Sequence, residues 1–273
     1  VMRRSWTDLF GSRPVTLDGG LSTQLVAQGA DISGALWTGR ALLEQPAAVR
    51  DAHAAFVRAG ADVVITASYQ LSRSGFEAAG LSADDADRAI TASTRVAREA
   101  VASVPGARTL VAASVGPYGA TLHDGSEYRG RYGVGFDQLL DFHRERLEVL
   151  VAARPDLLAI ETIPDLDESR AILEALRGFD VPAWMSFSCA DSATTCAGQP
   201  IEEAAALVAE AGLDAIGVRL VPMQDAADQV DVAVEMAGAP VIREGRTLVS
   251  LDALAGVLGF GIQIWDGDTV NLV

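Results

Sequence analysis

Short runs of apolar residues alternate with longer amphipathic segments along the whole chain. Eight of these runs have the length and residue types of strands: Val15–Leu17, Val63–Ser68, Leu110–Val115, Leu157–Glu161, Ala183–Ser188, Ala215–Leu220, Pro240–Glu244 and Gly261–Trp265. Several of them are almost continuously apolar, which is typical of parallel strands that are buried on both faces. The pattern therefore predicts a parallel sheet inside the fold.

Ala-rich segments with a helical spacing of apolar residues separate the predicted strands. The clearest are Ala47–Ala59, Ala83–Ala102, Gln138–Ala153, Leu166–Leu176, Ile201–Ala211, Asp225–Ala237 and Leu251–Leu258. Alternating strands and helices indicate right-handed βαβ units, and eight such strands favour closure into a (β/α)8 barrel, the TIM barrel. An open doubly wound sheet is the alternative, but no G-x-G-x-x-G turn follows the first strand as a dinucleotide-binding fold requires.

The chain is expected to form a single domain that comprises residues 1–273. No linker or low-complexity stretch divides it, and its length is common for one barrel. The residues after the eighth predicted strand are too few for a complete last helix. We therefore expect the seam of the barrel to be covered by residues such as Trp6–Phe10, by the second subunit of a homodimer, or not at all.

Composition and charge exclude several classes of partner. The formal net charge of −16 repels phosphate groups, which argues against nucleic acid or an anionic membrane as a partner. The sequence contains no apolar run of about 18 residues, and its start has no apolar segment typical of a secretory signal. Cys189 and Cys196 are the two cysteines, too few for a disulfide framework, so a cytoplasmic location is expected.

Polar residues at the carboxyl ends of the predicted strands are the first candidates for chemistry, because active sites of (β/α)8 barrels lie at that end. Asp18 follows the first strand and opens Asp18-Gly19-Gly20, in which glycine lets a ligand approach the backbone closely. Glu161 ends an apolar strand and requires a partner, such as a bound amine. The alternatives are a turn or helix cap for Asp18 and a structural ion pair for Glu161.

A long polar loop, residues 114–132, follows the third strand and is typical of a lid or a binding loop. It contains Tyr118 near the strand end and His123, a candidate general acid or base for which a solvated loop histidine is the alternative. His53 and His143 lie inside predicted outer helices, where packing or capping is expected instead of ligand binding.

The other sulfur-containing and acidic residues do not form a recognisable metal motif. The spacing of Cys189 and Cys196 is not a zinc spacing, so a buried side chain and a loop thiol are expected. Glu244 ends the seventh predicted strand, and Asp266 and Asp268 lie at the end of the eighth. They could bind Mg²⁺, take part in acid–base steps, or be loop charges of an acidic protein.

A series of long motifs follows in a fixed order between residues 17 and 189. They are Leu17-Asp18-Gly19-Gly20-Leu21-Ser22-Thr23, Leu36-Trp37, Gly60-Ala61-Asp62-Val63-Val64, Thr66-Ala67-Ser68-Tyr69-Gln70, Ser114-Val115-Gly116-Pro117-Tyr118-Gly119, Asp124-Gly125-Ser126-Glu127-Tyr128-Arg129-Gly130, Glu161-Thr162-Ile163-Pro164 and Ser186-Phe187-Ser188-Cys189. In these motifs the chain resembles the homocysteine S-methyltransferases, especially the branch that uses S-methylmethionine. Several motifs in one order are far more specific than any single motif.

The resemblance implies a (β/α)8 barrel that binds an amino acid through its amino and carboxyl groups. It places Asp18 and Glu161 on the ammonium group of the substrate, with Ser68 and Thr162 near the lining of the pocket. An aromatic ring at Trp265 could face a sulfonium cation. The predicted substrate-binding residues are Asp18, Gly19, Trp37, Ser68, Tyr118, Glu161, Thr162 and Trp265.

The resemblance fails at the metal site. Family members hold zinc with three cysteines, one at the end of a Gly-Val-Asn-Cys strand and two adjacent ones in a Gly-Gly-Cys-Cys strand end. Here Leu220 stands at the first position, and Asp266 and Gly267 align with the pair. Leucine cannot bind a metal ion, and one carboxylate cannot replace three thiolates. We therefore expect no zinc cofactor and no metal-binding residues.

These observations predict a zinc-independent enzyme that acts on a methionine-like or sulfonium α-amino acid, by methyl transfer or by carbon–sulfur bond chemistry. His123, Arg219 and Asp266 are the predicted catalytic residues. The candidate ligands are S-methylmethionine, S-adenosylmethionine and homocysteine. Two alternatives stay open: a homocysteine S-methyltransferase with an unusual metal site, and a non-catalytic amino-acid-binding subunit.

Overall fold

The central feature of the fold is a sheet of six strands in the order β1-β2-β3-β4-β5-β6. The computed structural model describes residues 6–11, 15–30, 36–220, 248–250, 264–265 and 270–271. The strands are β1 Val63–Ile65, β2 Leu110–Val115, β3 Leu157–Ile163, β4 Ala183–Cys189, β5 Ala215–Leu220 and β6 Leu248–Ser250. The first five are parallel and follow the chain order, which confirms the predicted α/β fold with a parallel sheet.

The segment predicted as the first strand joins the edge of this sheet. It pairs through a single parallel bridge between Leu17 and Val63, and is otherwise irregular. The backbone N–H of Asp18 donates to the carbonyl of Val63 at 3.0 Å. The Asp18 side chain accepts from the backbone N–H of Ile65, so Asp18 lies beside the carboxyl end of β1.

The region after β5 differs from the prediction, because β6 runs antiparallel to β5, with Ile216 opposite Val249. The predicted strand Pro240–Glu244 and the predicted helices Asp225–Ala237 and Leu251–Leu258 lie outside the described residues. A three-residue run such as Leu248–Ser250 is too short for periodicity to identify it as a strand.

The segment predicted as the eighth strand is described only at β7, Ile264–Trp265. This strand pairs antiparallel with β8, Val270–Asn271. The described residues do not include contacts that would close a barrel. Antiparallel neighbours need no crossover helix, so the alternation of strands and helices could not predict them.

Nine α-helices belong to the described part of the chain. They are α1 Trp6–Phe10, α2 Leu21–Ala27, α3 Trp37–Glu44, α4 Pro46–Ala59, α5 Arg73–Ala78, α6 Ala83–Ala102, α7 Phe136–Ala152, α8 Leu166–Ala175 and α9 Ile201–Glu210. The five predicted helices in this part are confirmed as α4, α6, α7, α8 and α9. In the described residues, no helix has the length and apolar character needed to cross a membrane.

Local sequence signals explain where the longer helices begin and end. Ser82 and Asp85 form a reciprocal capping box at the start of α6. Asp165 caps α8 by accepting a hydrogen bond from the backbone of Asp167 at 2.9 Å. α4 ends at Gly60, whose φ of 97° lies in the left-handed region that glycine adopts without steric cost.

Two groups of apolar side chains form the core. The larger group lies between the sheet and the helices and includes Leu158, Ile160 and Phe187, all fully buried. The second group contains alternate residues of several strands, such as Val63 and Leu157, together with Trp184 and Phe10 of α1. α1 thus packs onto the sheet through Phe10.

His53 on α4 is a buried histidine that makes the folded chain less stable at acidic pH. Its side chain is fully buried, and neither ring nitrogen has a hydrogen-bond partner among the described residues. Burial lowers the pKa of His53 from 6.5 to about 4, because the protonated ring would lose its hydration. Above pH 6.5 the ring is neutral in both the folded and the unfolded chain. As the pH falls from 6.5 to 4, the unfolded chain alone takes up this proton, so stability falls with pH.

We expect the His53→Leu substitution to remove this part of the acid sensitivity. At about 1.4 kcal/mol per pH unit, the lowered pKa corresponds to about 3 kcal/mol of unfolding free energy lost between pH 7 and pH 4. Urea unfolding at several pH values measures the loss in the wild type and the variant. His123→Gln, at an exposed histidine, is the control and should keep the wild-type profile. If His53→Leu lost as much unfolding free energy between pH 7 and pH 4 as the wild type, His53 would not be a source of the acid sensitivity.

Candidate functional site

A cavity of about 260 Å³ lies at the carboxyl ends of β1, β2 and β3. This is the end of a parallel α/β sheet at which ligands bind. The lining residues are Asp18, Gly19, Gly20, Leu21, Ser22, Thr38, Ile65, Thr66, Ala67, Tyr69, Gln70, Ser114, Glu127, Tyr128, Glu161 and Thr162.

Asp18 reaches the cavity from the segment beside β1. The residue is 8% exposed, and its Oδ2 accepts a hydrogen bond from the backbone N–H of Ile65 at 2.8 Å. Gly19 and Gly20 follow it in the lining. The hydrogen bond fixes the orientation of the carboxylate at the cavity wall.

Glu161 reaches the cavity from β3 and is 4% exposed. Its Oε2 accepts a hydrogen bond from the hydroxyl of Ser114 at 2.9 Å. A chain of hydroxyl groups supports Ser114: its backbone N–H donates to Thr66 Oγ1 at 3.1 Å, and the hydroxyls of Thr66 and Ser68 are 2.7 Å apart. Ser68 in turn donates to the carbonyl of Ser114 at 2.7 Å. This network holds Glu161 in one orientation.

Thr162 has a backbone conformation that is unusual for a β-branched residue. Its φ is 63°, and the pairing of β3 with β4 shifts register between Ile160 and Ile163. Its side chain forms a hydrogen bond with Tyr69. The irregularity turns Glu161 and Thr162 toward the cavity, at a steric cost of about 1–2 kcal/mol for a non-glycine residue.

We expect Thr162→Gly to be more stable than Thr162→Ala by about 1 kcal/mol, which is the reverse of the usual effect of glycine. Both variants lose the side-chain hydrogen bond with Tyr69, so the comparison isolates the backbone conformation. Urea unfolding measures both free energies. Ala159→Gly, in the regular part of the same strand, is the control and should be destabilising. A less stable Thr162→Gly would show that position 162 carries no strain.

The loop between β2 and α7 forms another wall of the cavity through Glu127 and Tyr128. The loop is anchored on Glu168 of α8, which is fully buried. The carboxylate of Glu168 accepts hydrogen bonds from the backbone N–H of Tyr118, from the Tyr132 hydroxyl at 2.7 Å, and from His143 Nε2 at 2.9 Å. Burial lowers the pKa of His143, so the neutral ring that donates from Nε2 is favoured.

Arg146 of α7 connects the loop to the segment after β1. Its side chain is 1% exposed, and its guanidinium donates to the carbonyls of Gly116 and Tyr69, each at 3.0 Å. The guanidinium also lies 5.0 Å from the ring centre of Phe142. Burial lowers the pKa of Arg146 to about 10, which leaves the group charged at neutral pH. Arg146 thus fixes two segments that line the cavity.

The cavity is acidic. Asp18, Glu127 and Glu161 line it, and none of the described lining residues has a basic side chain. Burial raises the pKa of Glu127 above its usual value, and it raises the pKa of the Tyr69 hydroxyl, which stays neutral. Such a lining favours a ligand that carries positive charge.

The structure brings part of the predicted site together. Asp18, Gly19, Glu161 and Thr162 line the cavity. Ser68 is buried in the supporting hydroxyl network, and is not among the lining residues. Their roles in substrate binding stay predictions.

Tyr118 and His123 are described and are not among the lining residues. Tyr118 anchors the loop through its backbone, while its ring packs against Tyr132 and Phe142. His123 is exposed on the same loop, with a φ of 56°. The side chains of Trp37, Arg219 and Trp265, and all of Asp266, lie outside the described part of the chain.

The residues in the described part of the chain do not fit a zinc ion. β5 ends at Leu220, where the resemblance places the first cysteine ligand. Cys189 is buried at the end of β4, and burial raises the pKa of its thiol to about 12, which disfavours the thiolate that binds metal. Within the described ranges, no group of three His, Cys, Asp or Glu side chains could hold a metal ion.

Comparisons with known sequences match this chain to homocysteine S-methyltransferases. The profile of the family described as homocysteine S-methyltransferase matches residues 15–251. Homocysteine S-methyltransferase 4 of Zea mays is 44% identical over 217 residues, which are 74% of this chain and 64% of that protein. Homocysteine S-methyltransferase YbgG of Bacillus subtilis is 37% identical over 238 residues, which are 84% of this chain and 76% of that protein. The chain thus covers less than two thirds of the length of the maize protein.

Solved structures agree with the sequence comparisons. The metallated form of the homocysteine methyltransferase MmuM from Escherichia coli has a TM-score of 0.71 at 42% identity, covering 75% of this chain and 74% of that chain. The oxidized form has a TM-score of 0.73 at 40% identity, covering 79% of this chain and 75% of that chain.

Proposed function

Because the chain belongs to the homocysteine S-methyltransferase family, we propose that its cavity binds a methionine-like or sulfonium α-amino acid and that it acts without zinc. S-methylmethionine, homocysteine and S-adenosylmethionine are the candidate ligands. The observation that carries the proposal is the pair of oriented carboxylates, Asp18 and Glu161, at one cavity.

An α-ammonium group between Asp18 and Glu161 would form charge-assisted hydrogen bonds with both carboxylates. Ser22 also lines the cavity, and a hydroxyl side chain can donate a hydrogen bond to the α-carboxylate of the ligand. The cavity of about 260 Å³ is smaller than the about 300–1,000 Å³ of pockets that hold drug-sized ligands, which favours S-methylmethionine over S-adenosylmethionine.

Methyl transfer from S-methylmethionine to homocysteine is the proposed reaction. The bond between the sulfonium sulfur of S-methylmethionine and one methyl carbon breaks, and a bond from that carbon to the sulfur of homocysteine forms. The products are two methionine molecules and one proton. A free thiol has a pKa of about 8.5, so without a metal the rate should rise with pH up to about that value.

His123, Arg219 and Asp266 are the proposed catalytic residues. We also propose that residues 1–273 form one domain of the (β/α)8 barrel type, from which the antiparallel strand β6 is a departure. Five sequential parallel strands with helices between them support the barrel. A homodimer and a cytoplasmic location stay predictions.

Calorimetry, metal analysis and product analysis on the purified chain test the proposal. We expect S-methylmethionine to bind, methionine to form when homocysteine is added, and chelation of metals to leave the rate unchanged. Stoichiometric zinc whose removal abolishes turnover would support a zinc-dependent enzyme instead. Binding without any product would indicate a non-catalytic subunit, and the absence of binding would contradict the proposal.

A further inference from the structure

We propose that Glu127 recognises the sulfonium charge of the methyl donor and makes the cavity selective for a sulfonium over the corresponding thioether. The inference rests on the proposed function, because it concerns the same cavity. It assigns the α-ammonium group to Asp18 and Glu161, and the second positive charge of the ligand to a residue of the loop.

Glu127 differs from the other two carboxylates in its hydrogen bonding. Asp18 accepts from the backbone of Ile65, and Glu161 accepts from Ser114. The Oε2 atom of Glu127 is buried and has no hydrogen-bond partner among the described residues, although the residue lines the cavity. Burial raises the pKa of this carboxyl, and the nearby side chains of His123 and Arg129 offset only part of that effect. A buried carboxylate oxygen without a donor is costly, and a cation beside it would remove that cost.

A sulfonium group suits this position because it has no N–H or O–H group. It cannot donate a conventional hydrogen bond, so a protein recognises it by negative charge and by aromatic rings. Tyr69 and Tyr128 line the cavity with Glu127. Both Tyr128 and Glu127 lie close enough to Tyr69 to raise the pKa of its hydroxyl. One carboxylate and two aromatic rings thus occur together at this part of the wall.

The loop holds Glu127 in place before any ligand arrives. Gly130 has a φ of 67°, and a Cβ atom at this position would lie 2.9 Å from the Cβ of Asp165. The backbone N–H of Arg131 donates to the Asp165 carboxylate at 3.1 Å, and Glu168 accepts from the Tyr132 hydroxyl. A loop fixed on two residues of the α8 region presents its carboxylate with little further loss of entropy on binding.

The test compares two ligands that differ by one methyl group and one positive charge. Calorimetry measures the affinities of S-methylmethionine and methionine for the wild type, for Glu127→Gln and for Glu127→Asp. We expect the wild type to prefer S-methylmethionine. Glu127→Gln should weaken S-methylmethionine binding about tenfold or more and change methionine binding by less than about twofold. Glu127→Asp keeps the charge and should retain most of the preference.

Glu99→Gln is the matched control, because it makes the same chemical change at an exposed position of α6 that is not among the lining residues. It should leave the ratio of the two affinities unchanged. A wild-type ratio in Glu127→Gln would overturn the inference while leaving the proposed function intact. If the wild type bound S-methylmethionine and methionine equally well, the cavity would not be selective for a sulfonium, and the inference would be wrong. If the wild type bound neither ligand, the proposed function would fail first, and the inference with it.

Discussion

Glu161→Gln is expected to weaken the binding of every α-amino acid by about 30-fold or more. Removing one partner of a buried charge pair costs about 2–5 kcal/mol, and each 1.4 kcal/mol is tenfold in affinity. Glutamine keeps the shape of the side chain, and its carbonyl oxygen can still accept from the Ser114 hydroxyl. The substitution therefore removes the charge and leaves the supporting network in place.

Calorimetry with S-methylmethionine, methionine and homocysteine measures the effect. Glu99→Gln, at an exposed position on α6, removes the same charge elsewhere and should bind as the wild type does. If Asp18 and Glu161 hold the same ammonium group, the double variant Asp18→Asn/Glu161→Gln should lose less affinity than the sum of the single losses. Wild-type affinity in Glu161→Gln would show that the ammonium group binds elsewhere.

The sequence was sufficient to predict the parallel part of the fold. Apolar runs such as Ala183–Ser188 and amphipathic segments such as Ala83–Ala102 carry local periodicities that identify a strand and a helix. The strand Leu248–Ser250 is too short for such a period, and its antiparallel pairing depends on a distant neighbour, Ile216. No local signal contains that information.

The residues of the cavity also divide into those that a local sequence signal identifies and those whose position depends on distant contacts. Asp18 and Glu161 were identified because they end apolar strands, and the ends of parallel strands meet at one edge. Glu127 comes from a loop, and its position depends on where that loop is anchored. One anchor is Glu168, an acidic residue in the first turn of α8, where a carboxylate is usually a solvated group beside the helix dipole. Its full burial follows from tertiary packing, which the sequence pattern does not show.

Arg146 is the second residue whose role the sequence concealed, because it stands in the charged stretch His143-Arg144-Glu145-Arg146, typical of a solvent-facing helix. We expect Arg146→Met to lower the free energy of unfolding by about 3–5 kcal/mol. The variant would leave the carbonyls of Gly116 and Tyr69 without this donor. It would also remove the positive charge whose interaction with Glu168 raises the pKa of the guanidinium.

Urea unfolding measures this loss. Arg144→Met is the matched control, because Arg144 lies two residues away on the same helix and is exposed. Its effect should stay within about 0.5 kcal/mol. Once Arg146 is gone, the buried carboxylate of Glu168 lacks this counter-charge, so Arg146→Met/Glu168→Gln should be more stable than the sum of the single losses predicts. A loss below about 1 kcal/mol in Arg146→Met would show that this guanidinium does not hold the loop and the β1 segment together, since one ordinary hydrogen bond contributes about that much.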